Sequence, residues 1–149
     1  MKWLFKEDKN QQELVIAIRK ASYDQEVSDM VSYLENFQKL TPDILPVKSG
    51  DQIQLLKVAD LILITVDENY LILTGRFGEI RTRLRLYQLM DRLNNPDFIQ
   101  VSKQTVLNIN YLEYLEASFS GNMTAFLKGK HQTTVSRRYL KQLENRLGI

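Results

Sequence analysis

Short apolar runs separated by turn-forming residues fill the chain from residue 44 to residue 135, and this spacing constrains the fold more than any other feature. The runs are four to seven residues long, and most have glycine, asparagine or aspartate directly beside at least one end. Runs of this length favour β-strands, because helices are usually longer, and the bounding residues favour tight turns. The pattern predicts a mainly β domain with strands at 44–48, 52–56, 61–66, 70–74, 76–80, 98–101, 105–109, 112–118, 124–128 and 132–135.

Three segments show helical periodicity instead. The first predicts a helix that ends near Thr41-Pro42-Asp43, because the residue before a proline disfavours helical geometry. The second is a short helix over 83–93, and the third is a closing helix after Ser136, a typical N-cap residue. The apolar stripe of the first helix consists of Val27, Met30, Val31, Leu34 and Phe37.

Two further strands, at 2–6 and 13–18, precede the first helix in the prediction and complete a small ββα unit. We therefore expect a mainly β, α+β protein in two parts. Residues 1–43 form the N-terminal ββα unit, with a role in oligomerisation or regulation, and residues 44–149 form a β domain with short helices. The helical stripe fits either core packing or, if exposed, a surface for a second copy or an inhibitor.

The residue types that catalysis and metal binding require are scarce. Cysteine is absent, which excludes disulfides, a thiolate nucleophile and a cysteine zinc site. His131 is the only histidine and lies between two lysines in a predicted turn, where we interpret it as an exposed turn residue. Gly75 and Gly78 lack the spacing of a phosphate-binding loop and are interpreted as turn glycines. We expect no enzyme activity, cofactor, metal or small-molecule substrate.

The hydropathy pattern and the N-terminus bear on location. No run of 18 apolar residues occurs, and the first eight residues are too charged for a signal-peptide core. Cytoplasmic localisation is the expectation.

Basic residues are concentrated in the second half of the chain. Residues 61–149 carry 12 Lys/Arg against 8 Asp/Glu, and residues 128–149 carry 6 against 1. A localised basic patch attracts nucleic-acid phosphates through counterion release. The same residues also fit a solvated surface with no partner.

Four segments follow one another in the order and spacing of a known family. Residues 58–64 are similar to its "dIlyie" strand, 98–104 to "FfRvHRS", 106–108 to "iVN" and 135–139 to "vSRry". On these motifs, residues from about 47 to 148 resemble the LytTR-type DNA-binding domain of bacterial transcription regulators. The resemblance implies stacked antiparallel sheets whose loops enter successive major grooves of double-stranded DNA.

The chain also departs from the family pattern. Where the family commonly has Arg-x-His-Arg-Ser, this chain has Gln100-Val101-Ser102-Lys103-Gln104. Lys103 keeps a positive charge without the two-pronged geometry of guanidinium, which favours phosphate contact over base-specific contact. The N-terminal segment is too short for a receiver domain, so we expect no control by direct phosphorylation. The resemblance implies direct-repeat operators bound by two protomers, as a homodimer or by cooperative assembly, and a membrane-bound inhibitor protein.

The predicted DNA-binding residues fall in three clusters. The first is a turn between strands, where asparagine pairs well with adenine, and the second is a strand end with an exposed cation. The third is the start of the closing helix, where free backbone N–H groups and the helix dipole favour phosphate. Each cluster also has a structural interpretation, as a hairpin turn, a solvated edge and a helix cap with a locally paired arginine. The clusters are Asp67, Glu68, Asn69 and Tyr70; Ser102, Lys103 and Gln104; and Ser136, Arg137 and Arg138.

One residue and one competing function complete the prediction. Asn108 lies inside an apolar run and is interpreted as a structural residue that hydrogen-bonds to backbone. The alternative to a sequence-specific DNA-binding transcription regulator is a protein-interaction or ligand-sensing regulatory module that does not bind DNA. The steep salt dependence of phosphate contacts distinguishes the two functions.

Overall fold

The computed structural model describes residues 1–37 and 41–149, and the chain divides into two compact units, Met1–Lys39 and Leu40–Ile149. The helix end predicted near Thr41 borders residues 38–40, which lie outside the described residues.

The described part of the first unit contains one helix, α1 (Gln25–Phe37), which confirms the predicted helix. Asp24 precedes it, and its carboxylate accepts the N–H of Val27 at 3.2 Å. The pKa of Asp24 lies below its ordinary value because Lys20 hydrogen-bonds to the carboxylate and Val27 donates to it. In the predicted stripe Val27 is buried and Phe37 is exposed, whereas the residues between them are half-buried.

The two strands predicted at 2–6 and 13–18 are wrong. Residues 1–24 contain no strand, and the side chains of residues 1–23 are exposed. Alternating apolar residues form a stable strand only when a partner strand and a buried face are present, and an isolated hairpin is marginal in water. The described part of the first unit is therefore one helix preceded by a segment without helix or strand.

Ten antiparallel strands and two helices make up the described part of the second unit, which confirms the mainly β prediction. The strands form sheets of two (β1-β2), five (β5-β4-β3-β7-β6) and three (β10-β9-β8) members. The elements are β1 (Ile44–Ser49), β2 (Gln52–Lys57), β3 (Leu61–Asp67), β4 (Tyr70–Gly75), β5 (Gly78–Thr82), α2 (Leu86–Leu93), β6 (Phe98–Ser102), β7 (Thr105–Asn108), β8 (Leu112–Ala117), β9 (Met123–Leu127), β10 (His131–Val135) and α3 (Arg137–Leu147).

The five-stranded sheet is covered on both faces. One core cluster joins it to β1, β2 and α2, and a second joins it to the three-stranded sheet and α3. A register shift in β3 between Leu61 and Leu63 sets which side chains enter each cluster. Leu61 and Ile64 belong to the first cluster, whereas Ile62 and Leu63 belong to the second. This bulge changes the simple alternation of a strand.

The β4–β5 hairpin differs from the predicted boundaries. Gly75 pairs with Gly78 across a two-residue turn, so β5 begins at Gly78 rather than at Arg76. A Cβ on Gly75 would lie 2.4 Å from the carbonyl oxygen of Asp60, which is a steric clash, so only glycine fits at this position.

His131, predicted as an exposed turn residue, is half-buried at the start of β10. None of the helices in the described ranges has the length and apolar character required to cross a bilayer.

Candidate nucleic-acid interface

Two of the three predicted clusters lie side by side at one end of the five-stranded sheet, here called the turn end. The β3–β4 turn holds the first cluster, and the β6–β7 turn holds the second. Strands β3 and β7 are paired neighbours with Thr65 opposite Thr105, and the N–H of Val66 donates to the carbonyl oxygen of Gln104 at 2.8 Å. One backbone hydrogen bond therefore fixes the distance between the two turns.

The third cluster is joined to the same end by a second backbone hydrogen bond. The N–H of Ser136 donates to the carbonyl oxygen of Val101 at 2.9 Å, next to the β6–β7 turn. Helix α3 starts at the following residue, and its buried Leu143 contributes to the core cluster below. The structure therefore brings together all three clusters, which are 32 or more residues apart in the sequence.

The side chains differ in their exposure to solvent. Seven are exposed and three are half-buried, and none is fully buried. The exposed residues are Asp67, Glu68, Asn69, Lys103, Gln104, Arg137 and Arg138, and the half-buried residues are Tyr70, Ser102 and Ser136.

Within the second cluster, the hydroxyl of Ser102 shapes the turn. Its oxygen accepts the N–H of Gln104 at 3.2 Å, and the side chain of Gln100 donates to the carbonyl oxygen of Lys103 at 3.4 Å. These bonds hold the turn closed, and the side chain of Lys103 in the turn is exposed. In the first cluster Glu68 adopts a left-handed backbone conformation with φ of 53°.

The predicted helix cap is correct in position and wrong in chemistry. Ser136 is the N-cap residue of α3, but its side chain makes no capping hydrogen bond. Asn122 supplies the acceptor instead, and its Oδ1 receives the N–H of Arg137 at 3.0 Å. The N–H of Tyr139 donates to the carbonyl oxygen of Ser136. The predicted anion site made of free N–H groups is therefore smaller than expected, because two of these groups already have acceptors.

The cations at the turn end carry unneutralised charge. Within residues 1–37 and 41–149, Lys103, Arg137 and Arg138 form no ion pair. The expected pairing of one arginine with a local carboxylate is therefore not found.

The basic residues of the C-terminal stretch 128–149 also do not form a single patch. Lys128 follows β9 at the opposite end, and Arg146 is paired with Asp97 at 2.7 Å.

Two arginines at the turn end were not among the predicted site residues. Arg81 lies in β5 opposite Ile72, and Arg83 follows the strand. Their guanidinium carbons lie 4.8 Å and 5.4 Å from the ring centre of Tyr70. The sequence carries a signal for them, because arginines at alternate positions 81, 83 and 85 share one side of an extended segment.

The interpretation of Asn108 as a structural residue is confirmed. It is 2% exposed, and its Nδ2 donates to the carbonyl oxygen of Leu61 at 2.8 Å. Its Oδ1 accepts the N–H of Asn110 at 3.0 Å. Among the described residues no group of three or more histidine, aspartate or glutamate side chains is placed to hold a metal ion.

Comparisons with known proteins agree with this architecture. Uncharacterized HTH-type transcriptional regulators of Staphylococcus aureus strains NCTC 8325 and MRSA252 are 35% and 34% identical over 99 residues, with 66% of this chain and 66% of each relative covered. The chain therefore spans just under two thirds of the length of these relatives. A solved LytTr DNA-binding domain from Bacillus cereus superposes with a TM-score of 0.65 over 72% of this chain and 99% of that chain, at 12% identity, and shows the same fold. The family model described as the LytTr DNA-binding domain matches residues 51–148, and the chain belongs to this family.

Proposed function

We propose that this chain is a sequence-specific DNA-binding transcription regulator that inserts the turns of its β-sheet scaffold into major grooves. The LytTR family consists of DNA-binding domains and is not a class of enzymes. The proposal includes cytoplasmic localisation and action on direct-repeat sites through two protomers. It also includes restraint of the regulator by a membrane-bound inhibitor protein.

The convergence of three separate clusters on one end of a sheet is the observation that carries the proposal. Two backbone hydrogen bonds, Val66 to Gln104 and Ser136 to Val101, tie the clusters to each other. A rigid sheet below the turns fixes the spacing of side chains that contact DNA, which lowers the entropy cost of binding. Exposed cations without ion partners provide the attraction for phosphate.

Each cluster has a chemical role in this arrangement. Asn69, at the tip of the β3–β4 turn, has an amide that matches the N6 and N7 edge of adenine. Lys103 presents a single ammonium group, suited to a phosphate or to a guanine edge. Arg137 and Arg138 begin α3, where they contact the phosphate backbone or reach into the groove.

Fluorescence anisotropy against the DNA upstream of its own coding sequence and against a scrambled duplex, across a salt series, tests the proposal. We expect a preference of at least about tenfold for the native fragment, which corresponds to about 1.4 kcal/mol. About five phosphate contacts give a slope of log K against log salt near −4 to −5. Absence of salt-dependent binding to both duplexes contradicts the proposal.

Alanine variants of Lys103 and Arg138 test the cluster assignment. Each is expected to weaken binding of the native fragment, by about 1–3 kcal/mol where a base contact is lost, and to make the salt slope shallower by about 0.9 where a phosphate contact is lost. Thermal unfolding should be unchanged because both side chains are exposed. Lys128→Ala is the matched control, since it removes the same charge at the opposite end of the scaffold. A folded variant that binds as wild type removes that cluster from the interface.

A further inference from the structure

We propose that Arg81 and Arg83, positioned by Tyr70, form a clamp for a DNA phosphate at the β5 edge of the turn end. The three residues are called the arginine clamp below. The inference rests on the proposed function and adds a fourth contact region to the three clusters.

The register of the β4–β5 hairpin brings these side chains together. Leu71 pairs with Thr82 and Ile72 with Arg81, so the next residues outward, Tyr70 and Arg83, follow at the end of the hairpin. The Nη2 and Nε atoms of Arg83 donate to the hydroxyl oxygen of Tyr70 at 3.1 Å and 3.4 Å. The ring of Tyr70 therefore has a guanidinium group near its face and a second one hydrogen-bonded to its hydroxyl.

The contacts with Tyr70 order the two arginines without neutralising them. A cation over an aromatic ring is attracted by the quadrupole of the ring and keeps its full charge. Arg81 also faces Asp67 at 3.4 Å, but both side chains are more than half exposed, so this pair is weak. Arg83 has no ion pair among the described residues. Two ordered guanidinium groups with one loosely paired carboxylate leave a net positive site.

The position of the clamp favours a phosphate over a base as its ligand. Neighbouring strands lie about 4.8 Å apart, so the centres of the β3–β4 and β6–β7 turns, two spacings apart in the sheet, are separated by about 10 Å, whereas β5 lies about 17 Å from the centre of the β6–β7 turn. The major groove of B-DNA is about 12 Å wide. When the β3–β4 and β6–β7 turns occupy the groove, the end of β5 lies beyond its edge, over the sugar-phosphate backbone. A bidentate guanidinium matches the phosphate oxygens there.

The test compares Arg83→Ala with Arg76→Ala in the anisotropy salt series. Arg76 is an exposed arginine in the turn at the other end of β5, so its removal changes the net charge equally. Arg83→Ala should make the salt slope shallower by about 0.9 and lower the affinities for native and scrambled duplexes by the same factor, whereas Arg76→Ala leaves both unchanged.

Two further variants separate charge from geometry. Tyr70→Phe keeps the ring and removes the hydroxyl that orients Arg83, so affinity should fall while the salt slope is retained. Arg83→Lys keeps the charge and should also retain the slope with reduced affinity. Arg83→Gln, which removes the charge but keeps a long polar side chain, replaces Arg83→Ala as the charge test if Arg83→Ala fails to fold.

Three outcomes overturn the inference. They are a wild-type slope in folded Arg83→Ala, an equal change in Arg76→Ala, and a loss confined to the native fragment, which would identify a base contact. These results leave the proposed function intact if the wild-type protein prefers its own upstream DNA. Absence of salt-dependent DNA binding by the wild-type protein overturns the proposed function and the inference together.

Discussion

The two ends of the five-stranded sheet use similar residues in opposite ways. At the turn end, Lys103 and Arg138 are exposed cations without ion partners in the described ranges. At the other end, here called the network end, the polar groups bind one another. Arg146 pairs with Asp97 at 2.7 Å, and Asp97 also accepts the side-chain amide of Asn110 at 3.0 Å. The network end uses its polar groups for stability, whereas the turn end leaves its charges available to a ligand.

This difference shows that a count of basic residues does not define a binding surface. Residues 128–149 carry six basic residues against one acidic residue. Lys128 and Arg146 lie at the network end, whereas Arg137 and Arg138 lie at the turn end. Only the second pair can add to a phosphate-binding surface made by the turns.

The largest expected effect on stability comes from Asn108, in the network end. Asn108→Ala removes the donor to the buried carbonyl oxygen of Leu61 and should lower the free energy of unfolding by about 1–3 kcal/mol. The urea midpoint measures this change, with Asn110→Ala, an exposed neighbour, as the milder control. The salt slope of DNA binding should stay at the wild-type value at a temperature where the variant is folded. A changed slope would show that the two ends are not separate.

A smaller effect, at the turn end, should change stability and binding together. Asn122→Ala removes the acceptor for the N–H of Arg137 and should cost about 1 kcal/mol, as other helix caps do. Because α3 then frays at Arg137 and Arg138, DNA affinity should also fall. Asn122→Asp is the control: it restores the acceptor and the stability, but its negative charge should weaken DNA binding. Calorimetry and anisotropy on both variants measure the two effects, and full binding by Asn122→Asp would place the start of α3 outside the interface.

The smallest expected effect comes from Arg146, although its removal changes the net charge as much as removal of Arg138 does. Arg146→Ala breaks a partly exposed ion pair and should cost less than about 1 kcal/mol. DNA affinity should remain within about twofold of wild type, because the residue lies at the network end and its charge is screened at this distance. A slope change equal to that of Arg138→Ala would mean that both ends contact DNA.

Local sequence patterns were sufficient to predict most of the β domain. The apolar runs and turn residues from 44 to 135 predict strands close to the observed ones, since each strand packs at least one face against the core. The same kind of pattern at 2–6 and 13–18 produced a wrong prediction. Alternation of apolar and polar residues indicates which side chains can line a buried face, but it does not show whether a partner strand is present.

Contacts between residues far apart in the sequence limit how much of the candidate site could be predicted. Two of the three clusters were predicted within family motifs and the first from its place in a turn, but their convergence depends on Val66 meeting Gln104 and Ser136 meeting Val101. Asn122 was missed as the cap of α3 because it is 15 residues from Arg137. Arg81 and Arg83 were missed because cross-strand contacts with Tyr70 give them their geometry.

Burial of both faces of the five-stranded sheet has a consequence for how such a protein diversifies. The residues that face the core on either side must keep their size and shape, because close-packed interiors tolerate few changes in volume. The turn residues 67–69 and 103–104 are exposed at the end of the sheet and are largely free of this constraint. If the proposed function holds, new DNA preferences are therefore accessible one turn at a time, by substitutions that leave the packed core unchanged.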